Sequence, residues 1–379
     1  MNFSIKDLPP LTEVDTKPVL RQLALSRSEL AMLNGRSATI PNESILINTL
    51  ALQEARDSSA IENIITTHDE LYKAQLFGEL FTNAAAKEVS RYAEALKQGF
   101  NLVRRQKLIT NSTILTVQRM LEGNEAGYRQ VPGTALVNEQ TGKTVYTPPQ
   151  SKKEIEAHMT ALVAFINDDT LSDLDPLIKM ALIHHQFETV HPFYDGNGRT
   201  GRILNILYLV QQGLLDLPVL YLSRHLIATK AEYYRLLQSV RDTGHWEPWI
   251  LYMLKGVQQT AKQTVALIEG IRSLMQEYKQ RMRSGLPKIY SQDLLNNLFR
   301  HPYTKIEFVI SELEVSRPTA TAYLEALVGF GMLQKLRLGK SNYYMNNPLF
   351  AMLREGAGPL QRAEPVVTQH SGGNKKKQQ

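Results

Sequence analysis

Apolar residues recur at three- and four-residue spacing along much of the chain, the pattern of helices with one buried face. Residues 42–55 and 177–190 show this pattern clearly. The second segment also has a favourable start, because Asp175 is a good N-cap and Pro176 suits the first helical position. We therefore predict a helix over each segment.

Residues 199–212 are apolar on nearly every side, which indicates a central helix that is buried all round. Gly213 follows directly and is placed to end that helix. Residues 228–242 and 247–283 continue the helical pattern. Strand signals are sparse, but residues 142–147 begin at a turn and end at two prolines, and they predict one half of a hairpin.

The pattern changes after residue 283, where a short linker precedes three helix-like segments and a strand–turn–strand segment. Three helices followed by a two-stranded wing predict a winged helix-turn-helix unit over residues 284–350. Before it we expect an N-terminal helical region (1–100) and a helical core (101–283). Residues 351–379 are rich in Gly, Gln and Lys, and we expect a disordered tail there. The predicted fold class is mainly α.

The composition narrows the class of protein. Of the 379 residues 43% are hydrophobic, and the lack of cysteine excludes disulfides and fits a reducing cytoplasm. The first residues lack the apolar run of a signal peptide, and polar residues interrupt the most apolar segment, so we expect no membrane span. The net charge of +6 includes three lysines near the C-terminus, so neither DNA nor a membrane is the leading partner.

The glycines of residues 196–201 follow the pattern G-x-G-x-x-G, the fingerprint of dinucleotide-binding loops. That function requires a strand before the loop and a β-α-β unit around it. Here the preceding residues, 178–190, have helical periodicity, and no parallel-strand pattern surrounds the loop. We therefore reject the dinucleotide-binding interpretation.

The same loop is still suited to bind phosphates. Asn197 is a good N-cap, and the amides of Gly196, Gly198 and Arg199 would open at the N-terminus of the buried helix. The positive end of a helix dipole attracts anions, and glycine lets oxygen atoms approach the backbone closely. Arg199 and Arg202 are three residues apart, so they share a helix face and can clamp a polyphosphate.

Two residues outside the glycine pattern indicate a reaction rather than binding alone. Asp195 offers a hard oxygen ligand suited to Mg²⁺ that bridges phosphates. His191 can take a proton from an attacking hydroxyl near neutral pH. A base, a metal ligand, an anion-binding loop and two arginines are the parts that phosphoryl or nucleotidyl transfer requires.

Residues 191–202, HPFYDGNGRTGR, match the HxFx[D/E]GNGRxxR signature of Fic-domain proteins at every fixed position. The resemblance extends roughly from residue 8 to 280. It implies a helical fold with a small β-hairpin flap, and the transfer of AMP from ATP to a Tyr, Thr or Ser hydroxyl of a protein, self-modification included. ATP is the implied substrate, and Mg²⁺ is the implied cofactor.

Taken position by position, the resemblance implies that His191 is the general base, that Asp195 holds Mg²⁺ and that Phe193 anchors the loop in the core. The implied ATP-binding residues are Glu62, His191, Gly196, Asn197, Gly198, Arg199, Thr200, Gly201, Arg202 and, at the base, Tyr234. The implied flap, which would dock the target chain as an added strand, consists of Val145, Tyr146 and Thr147, followed by Pro148 and Pro149.

A second motif lies upstream of the loop. Ser58, Glu62 and Asn63 match the [S/T]xxxE[G/N] inhibitory motif of the same family. The resemblance implies that Glu62 pairs with Arg202 and so removes the arginine that would otherwise bind the γ-phosphate. Ser59 and Glu62 also have the spacing of a capping box at a helix start, and this alternative stays open.

Several other interpretations of the residues stay open. His184, His185 and Glu188, which precede His191, lack the spacing of a helical metal site, so packing is their favoured role. Another nucleotide as donor and the removal of AMP are alternatives to AMP transfer. The formation of a homodimer also stays open.

The winged unit leaves two classes of partner open. Residues 285–347 hold seven Lys or Arg against five Asp or Glu, which is a poor balance for neutralising DNA phosphates. Arg317, Thr319 and Thr321 are placed to contact bases from a recognition helix. Interaction with a protein is at least as well supported as binding to DNA. A nucleotide-sensing DNA-binding regulator nevertheless remains an alternative function from a different class.

Overall fold

The computed structural model describes residues 5–68, 70–71, 83–137, 141–338 and 341–355, and helices account for most of them. The mainly α fold predicted from the sequence is confirmed. Among the described residues up to 211, the helices are α1 (Lys17–Ser37), α2 (Glu43–Ile61), α3 (Ala84–Gln106), α4 (Asn111–Glu122), α5 (Lys152–Asn167), α6 (Pro176–Val190) and α7 (Asn197–Gln211). Those that follow are α8 (Ser223–Ala228), α9 (Lys230–Thr243), α10 (Glu247–Gly285), α11 (Gln292–Arg300), α12 (Ile306–Leu313), α13 (Arg317–Gly329) and α14 (Asn347–Glu355).

Two small antiparallel sheets accompany the helices. Strand β1 (Leu136–Val137) pairs with β2 (Thr144–Tyr146), so the predicted hairpin is present. The second sheet has the strand order β3-β5-β4 and lies beside α11, α12 and α13. Its strands are β3 (Tyr303–Thr304), β4 (Gln334–Leu338) and β5 (Ser341–Met345). Three helices with this sheet form the winged unit that the sequence predicts.

Helix α7 lies at the centre of the larger helical unit. Every residue from Arg199 to Leu209 is buried, and the helix packs against α3, α4 and α6. Gly213, whose φ is +66°, donates its amide to the carbonyl of Val210 at 3.1 Å and ends the helical segment. The predicted buried central helix and its glycine stop are therefore both confirmed.

The start of α6 follows the prediction, whereas the start of α7 does not. The carboxylate of Asp175 accepts the N–H of Leu177 at 2.8 Å and caps α6. The expectation that Asn197 caps α7 is wrong, because Gly196 occupies the cap position with a φ of +77°, a conformation that glycine adopts without strain. The Asn197 amide instead bonds both the N–H and the carbonyl of Phe193 at 2.8 Å, which closes the loop on itself.

The end of α2 excludes the capping-box alternative. Glu62 follows the last residue of this helix, so it does not lie at a helix start. Asn63 has a φ of +62°, its amide donates to the carbonyl of Ala60, and the amide of Ile64 donates to the carbonyl of Ser59. These two bonds and the left-handed residue are a Schellman motif, which favours Gly or Asn at the position of Asn63.

The winged unit packs against the N-terminal helices. Helix α10 has 39 residues and connects the two units, with α1 packed along it. Helix α2 contacts α11, and its Gln53 donates from Nε2 to the carbonyl of Leu353 on α14 at 2.8 Å. Helix α2 therefore lies between the central helices and the C-terminal unit.

Some predicted boundaries move in the structure. The boundaries at residues 100 and 283 fall inside α3 and α10, and α14 continues to Glu355, where the tail was expected to begin at 351. The helix persists because Leu349 and Leu353 are buried in the core. Residues 356–379 of the expected tail lie outside the described residues. No helix among the described residues is both long and apolar enough to cross a bilayer.

Candidate active site

His191 lies at the end of α6, where the glycine-containing loop begins. Its backbone is left-handed, with a φ of +48°, and its amide donates to the carbonyl of Phe187 at 2.9 Å. The buried Arg129 donates from Nε to the carbonyl of His191 at 2.7 Å and from Nη2 to that of Val190 at 3.4 Å. Arg129 thus satisfies carbonyls that a helix end leaves unpaired. Sequence reasoning missed this residue, because no local signal connects positions so far apart.

The imidazole of His191 is held in its neutral form. Burial and the positive charges of Arg241 and Arg129 together lower the pKa of His191 to about 4, against a smaller rise caused by Glu62. A neutral imidazole has a nitrogen that can accept a proton. The site therefore meets the first requirement of a general base at neutral pH.

Arg202 is bound to the end of α2. It donates from Nε to the Ser58 hydroxyl at 2.7 Å, and from Nη2 to the Ser58 carbonyl at 3.0 Å and to Oε1 of Glu62 at 2.8 Å. Burial would raise the pKa of the Glu62 carboxyl, but the charge and hydrogen bond of Arg202 bring it below its ordinary value. The ion pair that the upstream motif predicted is present, and both of its members stay charged.

Glu62 also lies directly against the loop. A Cβ atom at Gly198 would overlap Oε1 of Glu62 and approach Nη1 of Arg202 to 2.9 Å. No side chain caps the N-terminus of α7, so the amides of its first turn face the space beside this carboxylate. The carboxylate of Glu62 thus stands at the anion-binding end of α7.

Arg199 points to a different part of the structure. Its guanidinium forms ion pairs with Glu88 of α3 through Nη1, and with Glu122 of α4 at 3.0 Å and Asp195 at 3.5 Å through Nη2. Separate carboxylates hold Arg199 and Arg202 in the structure, and their shared clamp on a polyphosphate stays a prediction. No local pattern in the sequence pointed to Glu88 or Glu122, which lie on other helices.

Asp195 supplies the single carboxylate of the loop, and 79% of its side chain is exposed. An exposed carboxylate next to an anion-binding helix end suits a Mg²⁺ ion whose other ligands are phosphates and water. Among the described residues, no group of three or more His, Asp or Glu side chains is arranged to hold a metal ion. The donor set thus fits a metal that arrives with a nucleotide.

The remaining predicted ATP-binding residues divide into buried and exposed ones. Thr200 is buried, and Gly201 packs against Phe187 and Glu188 of α6, so both lie on the inner side of α7. Tyr234 is 43% exposed and close enough to Arg202 for its phenol to affect the pKa of that guanidinium. An open aromatic face beside the loop is where a nucleotide base can stack.

The flap residues have unequal roles. Tyr146 is buried, and its hydroxyl donates to the carbonyl of Thr189 at 3.1 Å, while the guanidinium of Arg241 lies 4.2 Å from its ring centre. Val145 and Thr147, in contrast, are exposed. Tyr146 therefore anchors the flap beside His191, and its neighbours face a groove of about 660 Å³.

Histidines that precede the loop serve packing. His184 bonds the Tyr233 hydroxyl at 2.8 Å and the Asn205 amide at 3.1 Å, and His185 bonds the Leu237 carbonyl at 3.1 Å. Burial lowers the pKa of His184 to about 3. Both imidazoles therefore connect helices as neutral groups.

In the winged unit, the residues considered for DNA contacts make local interactions. Arg317 pairs with Glu307 at 3.1 Å. The Thr319 hydroxyl lies 2.8 Å from that of the N-cap Ser316, and the Thr321 hydroxyl donates to the Arg317 carbonyl.

Comparison with known families agrees with the site. The model of the Fic/DOC family matches residues 108–209, which include the loop, and its N-terminal model matches residues 20–101. A model described as the C-terminal domain of SoFic-like protein adenylyltransferases matches residues 274–349. The chain belongs to the Fic family.

The relatives that match this Fic protein are named as protein adenylyltransferases. It is 34% identical over 107 residues to protein adenylyltransferase fic-1 of Caenorhabditis elegans, a match that covers 28% of this chain and 20% of the relative. It is 28% identical over 179 residues to protein adenylyltransferase Fic of Nematostella vectensis, covering 46% and 38%. The matched regions thus span a fifth to two fifths of these relatives.

Solved structures share the fold. A Fic family protein from Desulfovibrio desulfuricans has a TM-score of 0.55 at 19% identity, with 89% of this chain and 98% of that chain covered. Fic-1 of Caenorhabditis elegans has a TM-score of 0.51 at 21% identity, with 66% and 73% covered.

Proposed function

We propose that this Fic protein is a protein adenylyltransferase, which transfers AMP from ATP to a Tyr, Thr or Ser hydroxyl of a protein and releases pyrophosphate. The observation that carries the proposal is the loop itself, in which a neutral His191 stands beside the uncapped N-terminus of α7 and two arginines. The names of the matched relatives support the same activity.

In this reaction His191 accepts the proton of the target hydroxyl. The oxygen then attacks the α-phosphorus of ATP, a new oxygen–phosphorus bond forms, and the bond to the bridging oxygen breaks, so that pyrophosphate leaves. The first amides of α7 bind phosphate oxygens, and Arg199 and Arg202 stabilise the negative charge that develops on them. The flap anchored by Tyr146 holds the target strand next to His191.

Mg²⁺ is part of the proposal, and Asp195 would hold it. When bound, the ion would neutralise phosphate charge and orient the leaving pyrophosphate. The exposure of Asp195 at the mouth of the loop supports this role.

The proposal includes inhibition by Glu62. The carboxylate occupies both a guanidinium edge of Arg202 and the space against Gly198, so ATP has to displace it to bind with its γ-phosphate on Arg202.

The absence of cysteine fits a reducing, ATP-containing compartment, and we place the protein in the cytoplasm.

Replacing Glu62 tests the activity and its inhibition together. We expect Glu62→Gly to gain the mass of one AMP after incubation with ATP and Mg²⁺, at least tenfold faster than the wild type, since Arg202 then loses its carboxylate partner and the space against Gly198 opens. Intact-mass spectrometry measures the gain. The variant Glu62→Gln, which keeps the side-chain shape, separates the effect of charge from that of volume.

The control is Glu62→Gly combined with His191→Ala, which should bind ATP but not become modified. A mass gain equal to a single phosphate would overturn adenylyl transfer. Equal labelling of Glu62→Gly and wild type would overturn the inhibitory role of Glu62.

A further inference from the structure

Arg199, like Arg202, forms ion pairs with carboxylates. Its guanidinium is 3% exposed and contacts Glu88, Glu122 and Asp195, each of which comes from a different part of the fold. The pair with Glu88 satisfies the geometry of a hydrogen bond. The upstream motif that contains Glu62 plays no part in these contacts.

The carboxylates that surround Arg199 therefore repel an anion at the loop even without Glu62. Arg199 and Arg202 supply two positive charges, whereas three carboxylates remain around Arg199. Inside a protein, where the effective dielectric constant is roughly 20 rather than 80, such charges act strongly on a nearby polyphosphate. Removing Glu62 frees Arg202 but leaves Arg199 neutralised.

Glu122 and Glu88 hold Arg199 in different ways. Glu122 ends α4 with 10% of its side chain exposed, and a Cβ atom at Gly196 would overlap its Oε1, so it is fixed between helix and loop. This Oε1 makes no well-aligned hydrogen bond, and burial raises the pKa of the Glu122 carboxyl. Glu88, in the second turn of α3, has 33% of its side chain exposed and is the more accessible of the two carboxylates.

The helix that carries Glu88 is also tied to the segment that follows Glu62. Asn83, the N-cap of α3, donates from Nδ2 to Oε1 of Glu70 at 2.8 Å. Glu70 in turn accepts the amide and hydroxyl of Thr67, five residues after Glu62. These bonds connect the segment after α2 with the start of α3.

We propose that Glu88 is a second inhibitory carboxylate, which holds Arg199 as Glu62 holds Arg202, and that ATP binds with full affinity only when both are displaced. This inference rests on the proposed function, because it assumes that the loop binds a nucleoside triphosphate. Glu122 and Asp195 then remain as the ion-pair partners that orient Arg199.

The test compares ATP binding by Glu62→Gly with binding by the double variant Glu62→Gly/Glu88→Gln, using calorimetry with ATP and Mg²⁺. We expect the Kd for ATP to fall about tenfold further in the double variant, because the amide cannot neutralise Arg199. Glu88→Asp in the same background keeps the charge on a shorter side chain and should give a smaller gain. The matched control is Glu94→Gln, a change on the same helix at an exposed residue that pairs with Lys97.

Unfolding temperatures of all variants show whether each one folds. An unchanged or higher Kd in Glu62→Gly/Glu88→Gln would overturn the inference and assign Glu88 to positioning Arg199. An equal gain from Glu94→Gln would also overturn it, since the effect would then be one of net charge. Tighter ATP binding without any transfer of AMP would support the second inhibitory contact and contradict the proposed function alone.

Discussion

The side chains around the loop are held in sharply different protonation states by their surroundings. Burial raises the pKa of Glu188 to about 7 and lowers that of His191 to about 4, while Arg202 keeps Glu62 ionised. A neutral imidazole thus stands within a few residues of charged side chains. Such divergence of pKa values is typical of sites that transfer protons.

We predict that the imidazole of His191 does not titrate between pH 8 and 5.5. Its pKa is lowered, so the neutral form persists well below the usual midpoint near 6.5. NMR of protein labelled with ¹³C-histidine measures this, and the signal is assigned by its loss in His191→Ala. A midpoint at pH 6 or above would contradict the predicted environment.

The flap shows how one buried residue positions a whole element. Strand β2 has three residues, and β1 has two, so the hairpin has few hydrogen bonds of its own. Tyr146 connects it to α6 through Thr189 and to α9 through Arg241. The position of the flap therefore depends on this side chain more than on strand pairing.

We predict that Tyr146→Phe lowers kcat/KM for the protein target severalfold and leaves the Kd for ATP unchanged. The substitution removes a buried hydrogen bond, whose net contribution is about 1 kcal/mol, and loosens the flap. Steady-state kinetics in the Glu62→Gly background, together with ATP titration, measure the two quantities. A matching loss of ATP affinity would show that Tyr146 acts on the loop instead.

On the scale of the whole molecule, α2 is the element that joins the parts. It ends at the loop through Ser58 and Glu62, and it reaches the C-terminal helix through Gln53. In its centre, the buried Glu54 accepts the amide of Ser223 at 3.0 Å and the hydroxyl of Tyr92 at 3.2 Å. Three helices therefore meet at one carboxyl group.

We predict that this carboxyl makes stability depend on pH. Burial raises the pKa of Glu54 to about 7, well above that of an unfolded chain, so the folded state binds the extra proton between about pH 4.5 and 7. The resulting stabilisation is present at low pH and declines by about 1.4 kcal/mol per unit as the pH rises to 7. Above pH 7 the slope vanishes.

The measurement is the free energy of unfolding by urea at pH 5, 6, 7 and 8, for wild type and Glu54→Gln. The wild type should lose stability relative to the variant between pH 5 and 7, and the difference should then stay constant. The buried histidines titrate in the same way in both proteins, so their contributions cancel in the difference between the two free energies of unfolding. A difference independent of pH would contradict the raised pKa.

Local signals predicted most of the elements. Spacing of apolar residues located α6 and α7, and Asp175 and Gly213 marked a start and a stop, since each acts on adjacent backbone. The cap of α7 was predicted wrongly because the Asn197 side chain has two competing backbone partners, and the loop geometry favours Phe193. The capping box failed for a similar reason, since spacing alone does not say at which end of a helix Glu62 lies.

The sequence by itself determined the candidate loop, because His191, Asp195 and Arg202 lie within twelve consecutive residues and their spacing along one helix entry is set by local backbone geometry. The tertiary structure alone decided what holds these groups. Glu88 and Glu122 reach the loop from other helices and Arg129 from the segment after α4, and only close packing brings their charges within a few ångströms of it. Electrostatic interactions act through space, so the state of a charged group is fixed by neighbours that the order of residues does not reveal.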